Sequence, residues 1–410
     1  MDLILRQARL QSGETIDIGI TDGQIVAINP QLTEQSSLEL DAAGRLTIPA
    51  FVNGQLHACK SFWRRLVDQL PPETQQMPRF EVAKHVKRLY TADDVFDRVD
   101  EVIRLAIANG TCAIRLFGDV DADSGLNAVE GLLRIRQKYN SVMKVEVVAF
   151  PQDGFEDGKT LPLIRSALKL GVDIVGGIPW IEPTKMLQHR HTQLCFALAQ
   201  EFDCDLHFVC DDVIDPSVRS LEDVARQTIA YNYMGRVSVT QCAALASYTD
   251  SYAAEVIQLV KQAEMTIFCN SHVSLIATEF DQQQPWPRGI TRVRELLDAN
   301  ISVACAQDDI DNWFYPLGRN DMLEVAQFMV HTGKFAWQGE TEHVLPMVTT
   351  IPAEVLRMEK HGLYIGAEAN LVVLDAINWH EAIQFQANKR YVVLQGQLVA
   401  SNERQTEIYI

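Results

Sequence analysis

Between residues 52 and 307 the chain repeats one pattern eight times, and this repeat constrains the fold more than any other feature of the sequence. Short apolar, strand-like runs recur at VNGQLH (52–57), CAIRLF (112–117), VEVVAF (145–150), VDIVGGI (172–178), DLHFVC (205–210), RVSVTQ (236–241), TIFCN (266–270) and ISVACAQ (301–307). The segments between them, such as DDVFDRVDEVIRLAIANG and LPLIRSALKLG, carry apolar residues three and four apart and end at glycine, as amphipathic crossover helices do. Strand followed by helix eight times predicts an α/β chain built as a (β/α)8 TIM barrel, with a doubly wound open sheet as the competing architecture. Both chain ends read differently. LILRQARL, IDIGI, IVAINP and LTIPAF at the start, and ANLVVLD, RYVVLQGQLVA and TEIYI at the end, are short strand-like runs separated by turns. They predict a small β-sandwich domain formed by both ends, residues 1–50 plus 362–410, beside a barrel over 51–361.

A chain of 410 residues accommodates such a barrel and its satellite, and a net charge of −18 disfavours nucleic acid as a partner. No uncharged run approaches the ~18 residues of a membrane span, and MDLILRQARLQSG interrupts its apolar stretch with Arg6 and Arg9, so it does not read as a signal peptide. The eight cysteines form no Cys-x-x-Cys pair and read as reduced thiols. Together these predict a cytoplasmic protein that acts on a small molecule, away from membranes. In a barrel the chemistry sits at the C-terminal strand ends.

The residues at those ends resemble a known family. LTIPAFVNGQLH is similar to a Pro-x-Phe-Val stretch leading into His-x-His; VVAFPQDG (147–154), FALAQEFDCDLHFVCDDVID (196–215), the run from Arg288 to Gly318 and GAEANLVVLD (366–375) are similar to further segments of the amidohydrolase superfamily, and within it of bacterial cytosine deaminases. The resemblance implies an amidohydrolase-type barrel and a hydrolase of carbon–nitrogen bonds. It also implies a catalytic metal, whose ligand positions are mostly changed here. Gln55 replaces the first histidine of His-x-His and His57 keeps the second; Val209 and Gln241 replace histidines on the fifth and sixth strands; Asp308 keeps the aspartate of the eighth. Asp212 stands where the resemblance places an acid/base glutamate.

A catalytic divalent metal needs about three protein ligands. Valine has no donor, and a neutral amide oxygen is a weak one. The expectation is therefore no resident metal or cofactor, with Asp308 as general base, His57 and Asp212 completing the catalytic group, and Gln152, Gln55, Gln241, Arg115, Trp313 and Phe314 binding substrate. Two alternatives stand beside it: a catalytically silent homologue that binds a ligand or partner, and a metallo-deaminase using His57, His207 and Asp308. For the glutamines, polar filling of an emptied cavity is the competing reading; for Asp212, capping of the next helix; for Arg115, an ion pair with Asp119; for Trp313 and Phe314, packing beneath a loop. Asn270 and His272 end the seventh strand. Lys60 reads as a solvated loop lysine, His189 and His191 as surface residues, and Cys210 and Cys242 as buried, inert thiols. Homo-oligomerisation accords with the resemblance, although no interface is legible in the sequence.

Overall fold

The computed structural model describes residues 1–276, 289–337 and 339–409. Its central element is a parallel sheet of eight strands in sequential order: Phe51–Leu56, Thr111–Asp119, Lys144–Phe150, Ile174–Gly177, Asp205–Cys210, Val237–Gln241, Thr266–Phe268 and Val303–Ala304. A parallel bridge between Leu56 and Asp308 joins last to first. The backbone of Asp308 makes that closure, its N–H donating to Gln55 O at 3.0 Å and its carbonyl accepting from His57 N–H at 2.7 Å. The (β/α)8 barrel is thus closed by a residue predicted to be catalytic.

The crossover helices form where the apolar periodicity places them. Ala92–Ala108 starts at Thr91, whose side chain accepts from Asp94 N–H, and buries Val95, Val99, Val102, Ile103 and Ala106 against the barrel. No helix among the described residues is long and apolar enough to cross a membrane. Arg288, which opens the 288–318 run, lies outside the described residues.

Both chain ends enter one further sheet, in which Leu371–Leu374 pairs antiparallel with Leu46–Pro49. Within it the hairpin from Thr15–Thr21 to Gln24–Asn29 turns at Asp22 and Gly23, both at positive φ, as a tight two-residue turn requires. The TEIYI segment departs from its strand-like pattern: residues 403–409 adopt no regular structure.

The stretch between the first strand and the first crossover helix folds over the strand ends as three short helices, Arg64–Val67, Pro72–Gln75 and Arg79–Lys87. Lys87 anchors this excursion. Its ammonium, 1 % exposed, lies 2.7 Å from Asp121 and 2.5 Å from Asp153. Burial alone would lower the Lys87 pKa, but the carboxylates around it outweigh burial and raise it. Lys87→Met strands Asp121 without a counter-charge and is expected to lower the free energy of unfolding by about 3 kcal/mol, read by denaturant titration.

Candidate active site

Gln55 and His57 leave the first strand on the same face, two residues apart. Beside them, where the eighth strand closes on the first, Asp308 is held between two glutamines. Gln55 Nε2 donates to its Oδ1 at 2.5 Å, and Gln241 Nε2 donates to its Oδ2. The orientation of Gln55 is set by a chain of donors that ends in the backbone. Ala306 N–H donates to Asn270 Oδ1 at 3.0 Å, which turns the Asn270 amide nitrogen toward Gln55 Oε1. Thr240 Oγ1 donates to that same Gln55 oxygen at 3.1 Å, leaving the Gln55 nitrogen for Asp308. Gln241 Oε1 accepts from Ser274 at 3.0 Å. The glutamines are therefore members of a satisfied buried network, in which Asn270 joins them. Asp308 and Gln241 sit at φ +66° and +69°, a backbone region that costs a non-glycine residue on the order of 1 kcal/mol and that gathers at functional sites.

Lys60 is the largest departure from expectation. The three-residue 3-10 turn Ala58–Lys60 returns its side chain to the barrel mouth, where it is 2 % exposed rather than solvated. Its ammonium lies 3.2 Å from Asp119, 3.2 Å from His57 Nδ1 and in hydrogen-bond contact with Gln152 Oε1. Burial pushes the His57 imidazole well below its usual range, with the neighbouring Lys60 charge acting in the same direction. Because Lys60 donates to Nδ1, the neutral ring carries its proton on Nε2, which stands 3.7 Å from Asp308 Oδ1.

Three carboxyls meet at this end of the barrel. Burial raises Asp308, and the charge of Asp212 raises it further; burial and then Asp308 raise Asp309. Asp212 is pushed up to about 7 by burial and by Asp309. Helix capping falls to Asp211, which accepts from the N–H groups of Ser220 and Leu221 at 2.7 and 3.0 Å. Asp212 accepts no hydrogen bond among the described residues and is left facing the other two carboxyls. Asp309 was passed over in favour of its neighbour because sequence position alone does not separate adjacent aspartates.

Other expectations require correction. Arg115 does not pair with Asp119, nor is it free to meet a substrate. It lies one layer below the mouth, bonded to Glu146 at 2.8 Å, His207 Nδ1 at 3.1 Å and Ser238 at 3.1 Å. His272 donates toward Gln307 O at 2.9 Å and stands against Tyr315 and Phe328 behind the eighth strand. His189 is exposed beside Asp223, but His191 is buried at 1 % exposure. Trp313 and Phe314 are half-buried over the core, with Phe314 5.9 Å from the Lys60 ammonium and 6.2 Å from the Trp63 ring. The Cys210 and Cys242 thiols are buried and raised well above their usual range, which keeps them protonated and unreactive.

The donor set does not fit a catalytic metal. Val209 packs with Phe117, Val148, Phe150, Ile174 and Ile178 in an apolar cluster. Gln55 and Gln241 aim nitrogen, not oxygen, at Asp308, and so saturate the carboxylate that would bind an ion. His207 accepts from Arg115 through Nδ1, and its ring is packed between Phe117 and Phe268. Among the described residues no group of three or more His, Cys, Asp or Glu side chains is placed to hold an ion.

Comparison with known proteins gives the frame for this site. The family model describing the amidohydrolase family matches residues 73–400. The chain is 30 % identical to N-isopropylammelide isopropyl amidohydrolase of Pseudomonas sp. (strain ADP) over 98 % of both chains. It is 26 % identical to pterin deaminase of Rhizobium rhizogenes, over 93 % of this chain and 87 % of that one. A crystal structure of 5-methylcytosine deaminase from Klebsiella pneumoniae, liganded with 5-fluorocytosine, superposes with a TM-score of 0.91 at 29 % identity, covering 99 % of each chain. With its closed barrel, its two-ended sheet and a site at the strand ends, the chain belongs to the amidohydrolase family and is a hydrolase of carbon–nitrogen bonds.

Proposed function

We propose that this enzyme hydrolyses a carbon–nitrogen bond of a small nitrogen heterocycle or cyclic amide without a bound metal, with Asp308 as general base. The observation that carries the reading is the pair of glutamine amides bonded to both oxygens of Asp308, in the two positions where the family resemblance implies metal-binding histidines. A carboxyl raised by burial can accept a proton near neutral pH, which a solvated aspartate does poorly.

In this mechanism Asp308 takes a proton from water as the water oxygen bonds to the ring carbon. As the double bond at that carbon opens, its electron pair moves onto the ring nitrogen or carbonyl oxygen. There His57 Nε2–H, fixed as a donor by Lys60, stabilises the charge, and the pair re-forms the double bond when the carbon–nitrogen bond breaks. Asp212, protonated near neutral pH, donates to the leaving nitrogen as the carbon–nitrogen bond breaks. The proton gained by Asp308 returns through the interacting carboxyls, so the cluster ends as it began. Gln152 and the Lys60 ammonium beside it contact the heterocycle, and the ring substrates named for the two amidohydrolase-family relatives and the 5-methylcytosine deaminase make triazines, pterins and pyrimidines the first panel.

Elemental analysis of the purified protein, with turnover measured before and after chelation, tests the metal-free reading. Activity unchanged by chelation is expected; stoichiometric zinc or iron whose removal abolishes turnover overturns it. The rate should also trace a bell against pH. Its acidic limb belongs to deprotonation of the base and its alkaline limb to loss of the proton on the acid. Both limbs lie within about two units of neutrality, as macroscopic values of the carboxyl cluster.

A further inference from the structure

A buried histidine and glutamate outside the carboxyl cluster tie together the two loops beside Gln152 and Trp180. His191 belongs to the helix Lys185–Phe202, and Glu182 follows the short turn Pro179–Ile181 after the fourth strand; they are 1 % and 5 % exposed. Ile178 N–H donates to His191 Nε2 at 3.0 Å. A backbone amide can only donate, so Nε2 holds the lone pair and Nδ1 the proton. Burial lowers the His191 pKa against the opposing pull of Glu182, which keeps the ring neutral. Its Nδ1–H donates to Glu182 Oε1 at 2.9 Å, and Phe155 N–H donates to the same oxygen at 3.0 Å. Every bond in this chain has one defined direction.

The loop whose Phe155 N–H donates to Glu182 also carries Gln152. Gly154 lies at φ +78°, and a Cβ there would stand 2.5 Å from Glu182 Oε1, so the loop approaches the carboxylate too closely for any other residue. The Phe155 ring lies 4.5 Å from the imidazole. On its other side the loop is held by Asp153, 2.5 Å from Lys87. The fourth-strand loop carries Trp180, whose Nε1 is buried with no acceptor among the described residues. Between the two loops lies Phe150, in the apolar cluster that Trp180 packs against and 5.4 Å from the Lys60 ammonium that contacts Gln152.

We infer that His191 and Glu182 are positioning residues that lock the Gln152 loop to the Trp180 loop and thereby set the wall on which the heterocycle is recognised. Neither touches reacting atoms. The wall so fixed carries Gln152, whose oxygen is taken by Lys60 and whose Nε2 is left to donate, and therefore suits a ring presenting an acceptor, a carbonyl oxygen or an unprotonated ring nitrogen, to that loop. This assignment rests on the reading of Gln152 as a substrate contact.

The test combines hydrogen exchange with kinetics on the full-length protein. His191→Phe keeps a ring in the space and removes both bonds. Amide exchange in peptides covering 151–156 and 176–181 is expected to rise by about tenfold or more, with the second strand, 111–119, unchanged. Unchanged exchange in either loop overturns the lock. With whichever heterocycle of the panel is turned over, KM is expected to rise about tenfold while kcat stays within about threefold. A fall in kcat as large as the fall in kcat/KM overturns the positioning role. Glu182→Gln keeps an oxygen that accepts from both Phe155 and His191, and is expected to restore both readouts to within about threefold of wild type. If His191→Phe does not fold, Glu182→Ala removes the acceptor from the Gln152 loop, and unchanged exchange at 151–156 in that variant overturns the inference equally. Absence of turnover on the whole panel would sink the proposed function, whereas the exchange result decides the lock independently.

Discussion

Asp308→Asn is expected to lower kcat by about 10²–10⁴-fold, the range associated with loss of a general base. The substitution keeps the shape of the side chain and removes its ability to take a proton. It also turns an amide nitrogen toward one of the two glutamine donors, Gln55 or Gln241, so one of them must rotate away from its own partners. Ligand binding should survive within about tenfold, because Gln152, Lys60 and the aromatic residues beside them are untouched. Steady-state kinetics together with equilibrium binding of an unreactive ring analogue separates the two effects. Wild-type turnover in Asp308→Asn would remove the base from the mechanism, and turnover lost only in the variant excludes a mere binding protein.

Asp212→Asn should inactivate the enzyme and at the same time stabilise it. Asparagine cannot protonate a leaving nitrogen, so kcat is expected to fall about 10²–10³-fold, least for substrates with good leaving groups. The stability change follows from the raised pKa. A carboxyl at about 7 in the folded state and about 4 in the unfolded chain binds its proton more tightly when folded. Its contribution therefore favours folding below about pH 4, weakens as the pH rises toward 7, and is a constant penalty above that. Removing the charge relieves the penalty, and the partial solvent contact of the residue limits the gain to about 1 kcal/mol. Melting temperature measured at pH 4 and pH 8 should show Asp212→Asn above wild type at pH 8 and close to level with it at pH 4. A variant less stable than wild type at pH 8 would show that Asp212 is paired in the folded state.

The parts of the site legible in the sequence were those carried by position along a strand. Gln55 and His57 share a face because side chains alternate, and Asp308 ends the eighth strand-like run, so their convergence followed from the repeat itself. The change of residue type at the positions where the resemblance implies histidines was equally visible in Gln55, Val209 and Gln241. What the sequence left undecided was whether Asp212 caps the next helix or faces the pocket. Asp211 caps a helix and Asp212 faces the carboxyl cluster because the left-handed turn at Asp211, φ +48°, reorients the chain just past the strand. No periodicity extends through such a turn.

Long cationic and imidazole side chains were misjudged for a related reason. Lys60, Arg115 and His191 are polar residues in ordinary local contexts, and local context assigns them to the surface or to the pocket. Each is instead buried because a partner on another element neutralises or satisfies it: Asp119 for Lys60, Glu146 for Arg115, Glu182 and Ile178 for His191. The sequence by itself therefore determined the barrel, its two-ended companion sheet and the altered residue types at the positions where the family resemblance implies histidines, since these depend on hydrophobic period and residue type. Only the tertiary structure decided that two amide groups clasp the central aspartate, that a lysine fixes the tautomer of His57, and which carboxyls meet. Those outcomes depend on pairing between charges and hydrogen-bonding groups that burial makes obligatory, and that are brought together only when the barrel closes.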